Sequence, residues 1–116
     1  MVDIDVDGDV FSSIVLETPA SAPYLKQGGA VTLAFKATEV SISKNLSGLI
    51  SLRNRFKATI KALEKSDLLT KVILNYKRWE VVSIISSRSA QKLALIEGDE
   101  VEWLVKTNEV SLIREE

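Results

Sequence analysis

The chain has 116 residues, 46% of them hydrophobic, with 16 acidic and 15 basic side chains for a net charge of −1. That length admits one domain or two very small ones, and the charge balance offers no electrostatic footprint for nucleic acid or an anionic membrane. Cysteine and histidine are both absent, which excludes disulfides and thiolate metal sites and removes the commonest general base and transition-metal ligand.

The first residues, Asp3-Ile4-Asp5-Val6-Asp7-Gly8, spell D-x-D-x-D-G, the opening of an EF-hand calcium loop. The rest of that loop fails. Its ninth and twelfth positions would be Phe11 and Ile14, neither of which can coordinate a hard cation. Val2, Ile4 and Val6 instead alternate with the aspartates, the period of a strand with one solvated face. Asp7-Gly8 then predicts a hairpin turn into a second strand, Val10 to Leu16. No stretch is long and apolar enough for a membrane span, and Met1 leads into acidic residues rather than a basic signal. The expectation is a cytoplasmic protein with no membrane insertion.

A gapless shift of 70 residues aligns 1–43 with 71–113 and makes 11 pairs identical, among them Ser13/Ser83, Gly28/Gly98, Lys36/Lys106, Glu39/Glu109 and Val40/Val110. Chance would give about two or three. The complete copy predicts a β-rich stretch from Ile50 to Leu63, a turn over Glu64 to Asp67, and strands from Leu69 to Asn75 and Trp79 to Ser86. A short helix follows, capped by Ser87 and closed by Gly98. Strands Glu100 to Lys106 and Glu109 to Ile113 finish the unit. In the first copy Thr18 and Pro19 fill the helix-start positions. The expected architecture is mainly β: small OB-like barrels, each with one short helix. The copies divide as 1–44 and 48–114, joined through Lys44 to Gly48. The first copy has no counterpart of the strand that opens the second, which exposes an edge. Either another chain supplies that strand, which predicts a homodimer or higher oligomer sharing strands or pockets, or the chain is a piece of a longer protein.

Ser51-Leu52-Arg53-Asn54 resembles the S-A-R-N signature of molybdate-binding Mop modules, also called TOBE modules. Further stretches are similar to that family in the same order: Ile85 to Ser89, Leu95 to Val101, and Val105-Lys106-Thr107-Asn108-Glu109-Val110. Phe35 to Val40 matches the last of these again. The resemblance implies a tandem Mop/TOBE protein that binds molybdate or tungstate for storage, buffering or sensing, with pockets where modules meet. It also implies the ligand positions: Ser51, Arg53, Asn54, Ser86, Ser89 and Lys106, with Lys36 the first copy's counterpart of Lys106.

The chemistry agrees, because a tetrahedral dianion only accepts hydrogen bonds and a selective pocket should be lined by donors. No carboxylate falls at the matched positions. Leu52 replaces a small residue and is expected to crowd the pocket floor. Ala58 stands where the family has Gly. Leu16 and Pro19 replace the hydroxyls of Ser86 and Ser89 in the first copy, so a site on that face is expected to be weak or lost. No catalytic residue, no direct cation ligand, no cofactor and no nucleic-acid partner is assigned. The alternative is a ligand-free structural or protein-interaction barrel, or a regulatory fragment of a transporter ATPase or transcriptional regulator.

Overall fold

The apolar–acidic alternation builds the expected hairpin: β1 (Val2–Val6) pairs antiparallel with β2 (Asp9–Ser13). Asp7 and Gly8 both take positive φ, 46° and 95°, the twist a two-residue hairpin turn requires. The computed structural model describes residues 2–13, 31–46 and 48–114. The expected continuation of the second strand to Leu16 and the helix start at Thr18-Pro19 lie outside them.

β3 (Val31–Ala34), a 3-10 turn (Ala37–Glu39) and β4 (Ser41–Ser43) follow. Then come β5 (Asn54–Lys65), β6 (Leu69–Tyr76), β7 (Trp79–Ser86), α1 (Ser87–Lys92), β8 (Glu100–Val105), a second 3-10 turn (Thr107–Glu109) and β9 (Ser111–Arg114). One antiparallel sheet runs β4-β8-β5-β6-β7. β5 serves two neighbours: Asn54 to Thr59 pair with β8, and Thr59 to Lys65 pair with β6. A bulge between Ile60 and Ala62 adds the bend that lets one strand turn from one neighbour to the other. The result is a curled, mainly β, OB-like fold with one short helix among the described residues.

Several local expectations move. The strand that opens the complete copy begins only at Asn54 and runs through Lys65, so the turn shifts to Ser66–Leu68, where the Ser66 N–H donates to the Leu69 carbonyl at 3.0 Å. Ser86, not Ser87, caps α1, because its hydroxyl is the one that accepts the free Ser89 N–H. The helix is closed by Ala94 at φ 51°, whose N–H reaches the Gln91 carbonyl at 3.0 Å. Gly98, at φ 88°, lies in the next turn, where its N–H donates to the Ile60 carbonyl at 2.8 Å and ties that turn to the β5 bulge. The last strand starts after the second 3-10 turn rather than at Glu109.

The repeat is visible in the pairing. β3 pairs with β9 and β4 with β8, in registers that the 70-residue shift interconverts: Leu33↔Leu112 corresponds to Trp103↔Ile42, and Ala34↔Ser111 to Leu104↔Ser41. Each copy's last strand therefore lies beside a strand of the other copy, and the copies interlock in space. Two buried hydroxyls fasten the exchange, Ser13 to the Val110 carbonyl and Ser83 to the Val40 carbonyl, both at 2.6 Å.

The core is one aromatic cluster shared by both copies. Phe11 stacks on Phe56 with ring centres 4.1 Å apart, and Trp103 lies within 5.6 Å of Phe11, Phe56, Tyr76 and Phe35. Such pairs add to what area burial alone contributes.

Candidate functional site

Arg53 precedes β5 by one residue, and Lys106 follows β8 by one. Asn54↔Val105 is the terminal pair of that ladder, so Arg53 and Lys106 are the next residues across it. Both are exposed, and neither has a carboxylate within ion-pair distance among the described residues. Arg55, two residues on, is different: its Nε and Nη2 lie 2.6 and 2.8 Å from the two Glu102 oxygens. One guanidinium is thus committed to structure, whereas Arg53 has no such partner among the described residues. Ser51 is exposed beside them in the bend that leads into β5, and Leu52 is half-buried there.

Ser86 and Ser89 sit at the other end of β5. Ser86 pairs with Leu69, and the neighbouring Thr70 pairs with Lys65, the last residue of β5. Ser86 accepts the Ser89 N–H at 3.1 Å and donates its hydroxyl proton to Ser89 Oγ at 2.9 Å. A hydroxyl has one proton to give, so Ser89 keeps the free donor of the pair. The hydroxyls next to them are committed elsewhere. Ser87 donates to the Ser66 carbonyl at 2.7 Å and therefore accepts from Thr70 at 2.8 Å.

The matched positions thus form two groups within one chain. Twelve residues of β5 separate them, a strand path on the order of 35 Å. Lys36 belongs to the first copy, is exposed, and opens the 3-10 turn that packs on β7, the strand ending at Ser86.

Asn54 does not face solvent. It is fully buried, its Oδ1 accepting the Ser12 N–H at 2.7 Å and its Nδ2 donating to the Ser12 carbonyl at 2.8 Å. The side-chain amide imitates one residue of a neighbouring strand and joins β5 to β2. Ala58, buried in β5, is not among the residues of positive φ, so its Cβ packs into the core without backbone strain.

The sequence pattern also hid a carboxylate pair. Glu39 and Glu109 occupy the same place in the two 3-10 turns. The hydrogen bond to Glu39, then burial, then charge repulsion from Glu39 hold the Glu109 carboxyl above its ordinary range, with the Lys106 charge working against them. The Glu109 carboxyl thus lies close enough to Lys106 to feel its charge. Its signal was available in the repeat, where Glu39/Glu109 is an identical pair. Among the described residues no group of acidic side chains could hold a metal ion, and no helix is long and apolar enough to cross a membrane.

Comparison with known proteins places residues 50–112 on the TOBE domain model. Among solved structures the chain is similar to the cytoplasmic molybdate-binding protein ModG with molybdate bound, at 25% identity and a TM-score of 0.70, over 73% of this chain and 62% of that one. It thus spans under two thirds of ModG's length. It is also similar to a molybdate-binding protein from Sporomusa ovata, at 36% identity and a TM-score of 0.57, over 58% of this chain and all of that one. A search of curated proteins returned no match.

Proposed function

Because the chain belongs to the TOBE domain family, we propose that it binds a tetrahedral oxyanion, molybdate or tungstate, within the cell, as a store, buffer or sensor. The observation that carries this reading is the placement of Arg53 and Lys106 across the end of one ladder, both exposed and neither in an ion pair among the described residues. Two cations with rigid backbone behind them suit a dianion that accepts hydrogen bonds on every side. The molybdate-binding relatives support the same ligand class.

In this reading Ser51, Arg53 and Lys106 form one wall of a pocket, and Ser86 with Ser89 form another. Because β5 holds the two walls apart, a closed pocket takes one wall from each of two copies. The protein is then an oligomer with sites between modules, and the division at 1–44 and 48–114 describes the units that meet there. Lys36 adds the first copy's cation. Asn54 contributes indirectly, by clamping the start of β5 to β2 and so fixing Arg53 beside it.

Isothermal titration of the intact protein with molybdate, tungstate, sulfate and phosphate tests the reading. Saturable heat with molybdate or tungstate, and little with sulfate or phosphate, is expected. A folded protein that gives neither heat nor a thermal shift with any of the four overturns it in favour of a ligand-free scaffold, the reading that the Glu109 carboxyl near Lys106 favours.

A further inference from the structure

β5 covers the second copy's core, and among the described residues no strand fills the equivalent place in the first copy. Phe56 packs on Phe11, Tyr76 and Trp103. The 70-residue repeat converts those three residues into Val81, Val6 and Leu33. All three line a cavity of about 600 Å³, whose wall also includes Ile4, Asp5 and Phe35. The burial contrast follows the same correspondence. Leu74, Tyr76, Trp103 and Val105 are buried beneath β5, whereas Ile4, Val6, Leu33 and Phe35 are only half-buried. Among the described residues β1 pairs only with β2, and β3 only with β9. Each keeps one edge unpaired there, flanking the first copy's counterpart of the place that β5 fills between β6 and β8. Trp103 lines the same cavity, and its buried indole N–H has no partner among the described residues.

We infer that this cleft is a strand-acceptor site, filled by an extended polypeptide segment other than the chain's own 54–65, with the pattern of β5. An edge of unpaired backbone groups beside an apolar trough is the geometry of recognition by strand addition. The register of β5 gives the occupant's register. An aromatic or large apolar residue, in the role of Phe56, lies opposite Leu33, and the residue in the role of Thr59 lies opposite Asp5. The outward residues flanking that position are basic in β5, Lys57 and Lys61. Basic residues are what the exposed, acidic face of β1, Asp3 and Asp5, would attract.

A second copy of the chain does not meet the need. Among the described residues each chain has two such places and one β5, so exchange of β5 between copies leaves half of them empty. Pairing β1 against β1 would set aspartate beside aspartate, which is unfavourable.

The chain has no cysteine, so a single introduced thiol reads position. A peptide spanning residues 51–65 with T59C is mixed with the full chain carrying D5C, or carrying N75C as the filled-site control. Opposed positions on paired strands lie within disulfide range. Disulfide formation at least tenfold faster with D5C than with N75C is expected, and it should be lost when Phe56 of the peptide becomes Asp. Both tryptophans, Trp79 and Trp103, line the cleft, so the unmodified chain should show a saturable fluorescence change with the native peptide. Equal cross-linking rates, no fluorescence change, or spontaneous D5C dimers through β1 would overturn the inference, the last by assigning the edge to a second copy.

Discussion

The Ser13 hydroxyl donates to the Val110 carbonyl at 2.6 Å across 97 residues of sequence, and Ser83 does the same to Val40 at 2.6 Å. Both serines are fully buried, and each bond joins one copy of the repeat to the turn that precedes the other copy's last strand. The exchange of strands is thus held by two equivalent polar locks inside an apolar core.

Substituting Ser83→Ala leaves the buried Val40 carbonyl without its donor. An unsatisfied buried polar group costs about 1–3 kcal/mol, and Ser13→Ala should cost the same for the same reason. Urea unfolding of both variants measures it. A loss below about 0.5 kcal/mol, small even against the usual net worth of one hydrogen bond, would show that neither lock contributes.

Asn54→Ala should be more damaging than either serine change, because it strands both the N–H and the carbonyl of Ser12. With two groups affected, about 2–4 kcal/mol is expected. Asn54→Asp keeps the acceptor, loses the donor and buries a carboxyl whose charged form is disfavoured there. Its folded-state pKa is raised, so its stability should be greatest at low pH and fall as pH rises through that pKa. Thermal melts from pH 4 to 8 should show this slope, and a flat profile would contradict the burial argument.

Arg53→Ala and Lys106→Ala remove exposed cations from the proposed oxyanion wall. Each should lower molybdate or tungstate affinity by tenfold or more, the effect of about 1.5–3 kcal/mol for a charged hydrogen bond. The melting temperature should stay nearly unchanged, since neither side chain is buried. Arg55→Ala is the counter-case: it breaks the Glu102 pair and should act on stability before affinity. Titration calorimetry with matched melts separates the two outcomes.

Glu109 titrates above its ordinary range because of its contact with Glu39. A raised carboxyl pKa means that the fold prefers the protonated form, so this contribution is full below the unfolded-state pKa and is lost as pH rises through the folded one. Glu109→Gln should therefore raise the melting temperature at pH 7 and bring no gain at pH 4. Asp99 and Glu102 behave oppositely. The hydrogen bond from Lys44, then that from the Ile96 N–H, hold Asp99 down, and the Arg55 hydrogen bond does so for Glu102; their contributions disappear as pH falls through the lowered pKa values. Melts of Glu109→Gln, Asp99→Asn and the parent at both pH values test the pair of signs. Because Glu109 lies near Lys106, Glu109→Gln should also tighten oxyanion binding.

Much of the local structure was legible because each signal is short-range. Asp7-Gly8 announces its hairpin, and Trp79–Ser86 is the strand expected over those residues. The helix end is less legible, because Gly98 looks like a terminator while Ala94, one turn after the buried Ala90, takes the left-handed position. Among the candidate ligands, Asn54 shows the limit most directly. Beside Arg53 in a donor-rich motif it reads as part of the pocket, yet its partner is the Ser12 backbone, 42 residues away. Nothing in the spacing of Ser51 to Asn54 marks that contact.

From the sequence alone came the duplication, its 70-residue offset, the β character of the copies and the residue types suited to an oxyanion. Only the tertiary structure decided which strands exchange, which donors share an end of β5, and which residues line the cleft beside β1 and β3. The physical reason lies in degeneracy. Ser41-Ile42 and Ser111-Leu112 carry the same pattern, so either could add to β3 or β8 with the same apolar face inward. The choice depends on the whole shared core, where Phe11 stacks on Phe56 and each buried serine reaches a carbonyl of the other copy.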